Sequence, residues 1–126
     1  MEKMSMSHED YLEAMVMLGA TPDNPIRSVD VATKMGVSKA SVNKAMSALK
    51  EKGFAEQPYY GDITLTDTGY QYGSSVLERH TMLYDFLTKA LGIPDEQADR
   101  EACMMEHAIS DESFEKWISY IKSLNL

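Results

Sequence analysis

The feature that most constrains this sequence is a pair of short amphipathic segments separated by a tight turn. The first, SVDVATKMG at residues 28–36, places apolar residues on one side and offers Ser28 as an N-cap. Residues 36–38 (Gly-Val-Ser) supply the turn, and Ser38 caps a second predicted helix whose apolar residues recur at helical spacing until Gly53. Two short helices joined by a few residues that include glycine are typical of a helix-turn-helix.

The segment that follows Gly53 has a different character. Residues 54–65, FAEQPYYGDITL, carry a turn signal at Gly61 between two short β-prone runs, which predicts a two-stranded hairpin. A helix precedes the helix-turn-helix at about residues 8–19, where apolar residues again recur at helical spacing. A helix-turn-helix followed by a hairpin is the layout of a winged helix, so we predict a winged helix-turn-helix DNA-binding domain at residues 1–72.

The remainder of the chain predicts three further helices. A long helix is expected over residues 67–91, with Gly69 and Gly73 as its weak points. A second is expected over residues 95–109, and a third begins after Ser110, which is a suitable N-cap. The predicted fold class is therefore mainly α, with a small β-hairpin wing.

The charge is distributed unevenly along the chain. The net charge of −8 is unusual for a protein that neutralises DNA phosphates. Residues 27–52, however, contain six basic and two acidic residues, whereas residues 73–126 contain five basic and ten acidic residues. This segregation suits a protein that binds phosphate at one place and divalent cations at another. Residues 73–126 are the second predicted domain, and it is helical.

The second helix of a helix-turn-helix reads bases in the major groove with its N-terminal residues. Here those residues are small or polar, which permits close approach and hydrogen bonding to base edges or phosphates. The alternative is that the two helices are only packed scaffold and do not contact DNA. We interpret Lys50 and Lys52 as solvated surface residues rather than DNA contacts. The predicted DNA-binding residues are Arg27, Ser38, Lys39, Ala40, Ser41, Asn43, Lys44 and, in the wing, Tyr60.

Side chains able to bind a metal ion occur in three groups. Two carboxylates share a face of the first helix, one histidine lies in the long helix, and a thiol, a carboxylate and an imidazole share a face of the fifth. A mixture of carboxylate, imidazole and thiolate suits a first-row transition ion, whereas Ca(II) and Mg(II) prefer oxygen alone. Taken singly, each residue is better explained as solvated surface or as a small buried side chain than as a metal ligand. The candidate ligands are Asp10, Glu13, His80, Cys103, Glu106 and His107.

Three other features of the sequence bear on the cellular location of the protein. No apolar run approaches the ~18 residues of a transmembrane helix. The N-terminal residues show no signal-peptide pattern, and the single cysteine excludes an internal disulfide, which fits a reducing compartment. We therefore expect a cytoplasmic protein with no membrane contact.

Taken together, these motifs resemble the DtxR/MntR family of metal-dependent repressors. The resemblance is carried by HEDYLEAMVML, the helix-turn-helix, LTDTGYQYGSSVLERHTMLYDFL and LGIPDEQADREACMMEHAISDE, and it covers almost the whole chain. It implies a winged helix joined to a helical domain that binds metal and dimerises. Because the chain stops soon after its last predicted helix, the SH3-like C-terminal domain of larger iron-type members is expected to be absent.

The resemblance also assigns the six candidate ligands to the family's metal site, as a hybrid set. Manganese-type members share Asp10 and Glu13 but carry a carboxylate at the position of Cys103, whereas iron-type members carry the cysteine and a methionine at the position of Asp10. Iron-type members use the histidine at His80 in an ancillary site, but the other positions of that site hold Tyr84 and Asp99 here. The alternative is that His80 joins a two-metal cluster of the manganese type.

The implied function is a repressor that Fe(II) or Mn(II) activates to bind a palindromic operator as a homodimer. Iron or manganese uptake genes would be its targets, and neither enzymatic activity nor a small-molecule substrate is expected. The alternatives are a winged-helix regulator that needs no metal, a small metalloenzyme and a helical adaptor. The candidate dimer contacts are Phe86, Leu87, Leu91, Phe114, Trp117 and Ile118.

Overall fold

The computed structural model describes residues 6–58 and 61–126. It is mainly helical, with a small antiparallel sheet, as predicted. The chain packs as two compact units, one ending at Leu77 and the other beginning at Glu78. None of the helices in the described part of the chain is long and apolar enough to cross a membrane. The elements are α1 (Met6–Met17), β1 (Ile26–Arg27), α2 (Ser28–Met35), α3 (Lys39–Glu51), β2 (Ala55–Glu56), β3 (Asp62–Leu65), α4 (Asp67–Asp85), a π-helical turn (Phe86–Ala90), α5 (Asp95–Ala108) and α6 (Asp111–Ser123).

The predicted helix-turn-helix is present as α2 and α3. Gly36 ends α2 with a φ of +67°, a left-handed conformation that glycine adopts without steric cost. The backbone N–H of Ser41 donates to Ser38 Oγ at 3.1 Å, which confirms Ser38 as the N-cap of α3. The prediction that Ser28 caps α2 is wrong. Ser28 is the first helical residue, Arg27 holds the cap position without a side-chain hydrogen bond, and the Ser28 N–H donates to the Gly61 carbonyl.

A three-stranded sheet in the order β1-β3-β2 is formed by one strand before the helix-turn-helix and two strands after it. Strands β2 and β3 form the predicted hairpin, and its tip residues Tyr59 and Tyr60 lie outside the described residues, so the wing contact predicted for Tyr60 stays a prediction. Strand β1 was not predicted, because two residues are too few to show an alternating pattern. It pairs with β3 through Ile26 and Ile63, which anchors the start of α2 to the hairpin.

The core of the first unit is formed by the apolar faces of α1, α2 and α3 together with the inner side of the sheet. Leu12, Met15 and Leu49 are fully buried there. Helix α1 runs two residues earlier than the predicted 8–19, and it ends at Met17 because Gly19 takes a φ of +98°. The buried carboxylate of Glu9 accepts a hydrogen bond of 2.7 Å from the Tyr72 hydroxyl on α4.

Helix α4 passes through both of its glycines without interruption, so the expectation that they weaken the helix has to be corrected. A Cβ atom on Gly69 would lie 1.8 Å from the carbonyl oxygen of Phe54, and one on Gly73 would lie 2.8 Å from that of Leu12. The glycines therefore permit the helix backbone to approach neighbouring backbone closely. The predicted helix to residue 91 is regular only as far as Asp85, beyond which the chain adopts the π-helical turn.

The second unit packs around Leu83 of α4 and Leu87 of the π-helical turn, with alanines of α5 and Phe114 of α6. Ser110 caps α6 as predicted, since its Oγ accepts from the Ser113 N–H at 3.1 Å. Two of the candidate dimer residues, Leu87 and Phe114, are thus used in the core of this unit. Phe86, Trp117 and Ile118 are partly buried against that core, whereas Leu91 is 58% exposed.

Candidate metal centre and nucleic-acid interface

Helix α5 presents a thiol, a carboxylate and an imidazole on one face. Cys103, Glu106 and His107 follow at the i, i+3 and i+4 spacing that brings side chains together on a helix. Each offers one ligand atom, and these atoms lie within 4.8 Å of one another. Glu106 and His107 are buried and Cys103 is partly buried, so the group lies largely out of solvent.

The carboxylate of Glu106 lies between two imidazoles. Its Oε2 is 3.0 Å from His80 Nδ1 on α4, and its Oε1 is 3.3 Å from His107 Nε2. The side chain of Glu106 is 0% exposed, yet Oε1 accepts no hydrogen bond from any residue that the structure describes. A buried carboxylate oxygen without a donor is costly, whereas a cation bound beside it would compensate its charge. Carboxylate, imidazole and thiolate donors fit a divalent transition ion.

The second nitrogen of His80 also faces a carboxylate. Nε2 lies 2.8 Å from Oδ1 of Asp99, which is one turn before Cys103 on the same face of α5. The ring of Tyr84 lies nearly parallel to the imidazole, with centroids 6.5 Å apart. Partial burial raises the pKa of Tyr84, and the charge of Asp95, with which its hydroxyl hydrogen-bonds, raises it further. Tyr84 and Asp99, which hold the other positions of the family's ancillary site, thus both lie beside His80.

Arg79, next to His80, joins α4 to the turn between α5 and α6. Its guanidinium donates to the carbonyl oxygen of Ile109 and, at 2.9 Å, to Asp111 Oδ1, and it lies 4.4 Å from the ring centroid of Phe114. Through these contacts Arg79 helps to hold α4 against α5. Arg79 therefore also stabilises the position of the neighbouring His80 imidazole.

The two remaining candidate ligands, Asp10 and Glu13, belong to the first unit. They are three residues apart on α1 and both are partly buried. His8, which the sequence left as a residue of a frayed terminus, lies within the first turn of α1 and is also partly buried. Burial lowers the pKa of His8, and the nearby charge of Lys52 lowers it further.

The described DNA-binding candidates all lie on exposed surface. Each of the six predicted residues of the second helix and its cap is exposed, from Ser38 to Lys44, and so is Arg27 of β1. A cleft of about 740 Å³ lies between α3, the start of α2 and the wing. Several residues of this cleft were not predicted from the sequence. Lys50, which was interpreted as solvated surface, lines the cleft and donates a hydrogen bond to Gln57 Oε1 at 3.0 Å. The lining residues include Arg27, Lys39, Asn43, Ser47, Lys50 and Gln57.

Two family models match the chain. Residues 66–125 match a family described as "Iron dependent repressor, metal binding and dimerisation domain". Residues 1–70 match a domain of unknown function. The domain that carries His80, Cys103, Glu106 and His107 is thus the one whose family description names metal binding and dimerisation.

Two curated relatives are similar over most of the chain. An uncharacterised HTH-type transcriptional regulator of Methanocaldococcus jannaschii is 34% identical over 114 residues, covering 90% of both chains. The transcriptional regulator MntR of Salmonella typhimurium is 33% identical over 112 residues, covering 89% of this chain and 70% of that one. Both relatives are named as transcriptional regulators.

Solved structures show the same fold. A manganese-dependent transcriptional repressor in complex with manganese has a TM-score of 0.78 and 26% identity, covering 91% of this chain and 52% of that one. The manganese regulator SloR has a TM-score of 0.74 and 28% identity, covering 93% and 55%. The chain therefore spans about half the length of these solved regulators. From its sequence relatives and its fold, this chain belongs to the DtxR/MntR family of metal-dependent transcriptional repressors.

Proposed function

We propose that this protein is a metal-activated repressor that binds palindromic operator DNA as a homodimer, with Fe(II) or Mn(II) as the activating ion. The observation that carries the proposal is the buried carboxylate of Glu106, which lies between His80 and His107 with one oxygen that accepts no hydrogen bond from the described residues. A divalent cation bound here would compensate the buried negative charge of Glu106, and the neighbouring imidazoles and thiol are ligands that such an ion accepts.

The ligands come from three helices. The four on α4 and α5 form the buried group, and we propose that two carboxylates of α1 complete the set, on the strength of their spacing and of the family resemblance. When bound, a divalent ion supplies the positive charge that brings several carboxylates together without repulsion. Because α1 belongs to the DNA-binding domain, its carboxylates connect metal occupancy to that domain. The proposed ligands are Asp10, Glu13, His80, Cys103, Glu106 and His107.

The exposed N-terminal part of α3 would read the operator. Asn43 suits a hydrogen-bonded contact to a base edge, whereas Lys39 and Arg27 suit phosphate or guanine contacts. A dimer places two such helices on half-sites about 34 Å apart, one helical turn of DNA. A shift in the relative position of the two helices changes operator affinity, and allosteric couplings of this kind are typically about 5- to 150-fold.

The donor set also bears on the identity of the ion. The thiol of Cys103 favours Fe(II) over Mn(II), because thiolate is a soft ligand, whereas the carboxylates of Asp10 and Glu13 suit Mn(II) and Fe(II) alike. We propose Fe(II) as the first activator and Mn(II) as the second. Anaerobic competition binding that finds Mn(II) held more tightly than Fe(II) would reverse this order.

The test is an anaerobic pull-down of fragmented genomic DNA from the source organism by the purified protein, with Fe(II), with Mn(II) and with a chelator. Enrichment of a palindromic sequence only in the presence of metal supports the proposal and ranks the two ions. Equal enrichment with chelator indicates a winged-helix regulator that needs no metal. The absence of enrichment in all three conditions would indicate a helical adaptor.

Three variants separate metal binding from DNA binding. Glu106→Ala should lose metal-dependent enrichment, and a double change of Lys39 and Asn43 to alanine should lose DNA binding but keep metal binding. Glu112→Ala is the matched control for the first, because it removes an exposed carboxylate of α6. Metal-dependent enrichment that persists in Glu106→Ala would refute the proposed site.

A further inference from the structure

His80 is held at both ring nitrogens by carboxylates of one helix. Nδ1 lies 3.0 Å from Glu106 Oε2 and Nε2 lies 2.8 Å from Asp99 Oδ1. Asp99 and Glu106 are seven residues apart on α5, which is two helical turns, so the imidazole of α4 spans two turns of the neighbouring helix. Both ends of the ring are therefore oriented by α5.

The two carboxylates differ in their surroundings. The Glu106 side chain is fully buried in the ligand group, whereas the Asp99 side chain is 68% exposed and stands at its edge. A neutral imidazole carries one proton, and the nitrogen that holds it cannot bind a metal ion. If that proton lay on Nδ1, it would be donated to Glu106, and the nitrogen that faces the ligand group would be blocked.

We propose that Asp99 is a positioning residue, which keeps the proton of His80 on Nε2 and so leaves the lone pair of Nδ1 available to a metal ion. This inference rests on the metal-binding function proposed above. Asp99 itself stays outside the ligand set and acts through the imidazole. Partner carboxylates that hold the far nitrogen of a metal-binding histidine fix its tautomer and ring orientation, and their loss typically lowers metal affinity about 10- to 100-fold.

The first measurement uses metal-free protein labelled with ¹⁵N at histidine. Two-bond imidazole correlations show which nitrogen carries the proton, at a pH where the same spectra show the ring to be neutral, and the His80 signals are identified by their absence in His80→Gln. In the wild type we expect the proton on Nε2. In Asp99→Ala we expect a shift towards Nδ1, because the acceptor beside Nε2 is removed while Glu106 Oε2 still lies 3.0 Å from Nδ1. An unchanged tautomer in Asp99→Ala would overturn the inference.

The second measurement is Mn(II) affinity, with free Mn(II) determined from its electron paramagnetic resonance signal. Asp99→Ala should bind about 10- to 100-fold more weakly than the wild type. Asp99→Asn removes the charge but keeps an oxygen acceptor, so it should recover most of that loss. Glu96→Ala removes another exposed carboxylate of α5 and should change the affinity little.

The outcomes separate the two proposals. If Asp99→Asn binds as weakly as Asp99→Ala, the effect is one of charge alone and the positioning role is wrong. If Asp99→Ala binds like Glu96→Ala, Asp99 has no role in metal binding. A wild-type protein that binds neither Mn(II) nor, under anaerobic conditions, Fe(II) would contradict the proposed function, while the tautomer of the metal-free protein would still show whether Asp99 controls His80.

Discussion

Gly69→Ala should destabilise the protein although alanine is the better helix former. In an exposed helix interior the change would stabilise by about 1 kcal/mol. Here the added Cβ would meet the carbonyl oxygen of Phe54 at 1.8 Å, far below the ~3.3 Å of a close carbon–oxygen contact. The obstructing atom is backbone, so no side-chain rotation relieves the overlap.

The magnitude follows from what has to move. The Phe54 carbonyl accepts the N–H of Thr66 at 3.1 Å, just before α4, and displacing it weakens that bond, which is worth about 0.5–1.5 kcal/mol. Overpacking typically costs about 1–3 kcal/mol. After subtracting the gain in helix propensity, we expect a net loss of about 2 kcal/mol in the free energy of unfolding.

The assay is urea unfolding of the metal-free protein followed by circular dichroism. Ser75→Ala is the matched control, because Ser75 is an exposed residue of the same helix and its replacement should be neutral or slightly stabilising. A Gly69→Ala protein that is as stable as the wild type, or more stable, would refute the close approach of α4 to the Phe54 carbonyl.

Further changes test other local contacts. Ser38→Ala should cost about 1 kcal/mol in the free energy of unfolding, since it removes the acceptor for the Ser41 N–H, and a cost below about 0.3 kcal/mol would argue against the cap. Arg79→Leu should cost about 2 kcal/mol, because it leaves the Ile109 carbonyl without its donor, and chemical denaturation measures this loss. Asp111→Ala should cost under about 1 kcal/mol, because Asp111 is exposed, and equal losses for the two changes would contradict the assignment.

Local sequence signals predicted most of the helical elements. The caps at Ser38 and Ser110, the turn that begins at Gly36 and the hairpin before α4 are all present. Each of these depends on hydrogen bonds or apolar periodicity within a few residues, which is why a single sequence sufficed. The same reasoning failed for Ser28, because the pairing of β1 with β3 carries the chain directly into α2.

The candidate ligands also differ in how far local sequence signals predict their positions. The i, i+3 and i+4 spacing of Cys103, Glu106 and His107 on one helix is a property of the sequence, since the pitch of the helix alone brings them together. The assignment of Asp10 and Glu13 to the same site remains a prediction from spacing and resemblance.

By itself, the sequence determined the helix-turn-helix, the hairpin and the chemistry of the candidate ligands, because these follow from neighbours along the chain. Only the tertiary structure decided that Gly69 packs against a backbone carbonyl and that His80 lies between Asp99 and Glu106, which are 19 and 26 residues away. Contacts over such separations depend on how whole helices pack. Helical periodicity indicates which face of α5 is buried but not which residue of α4 it meets.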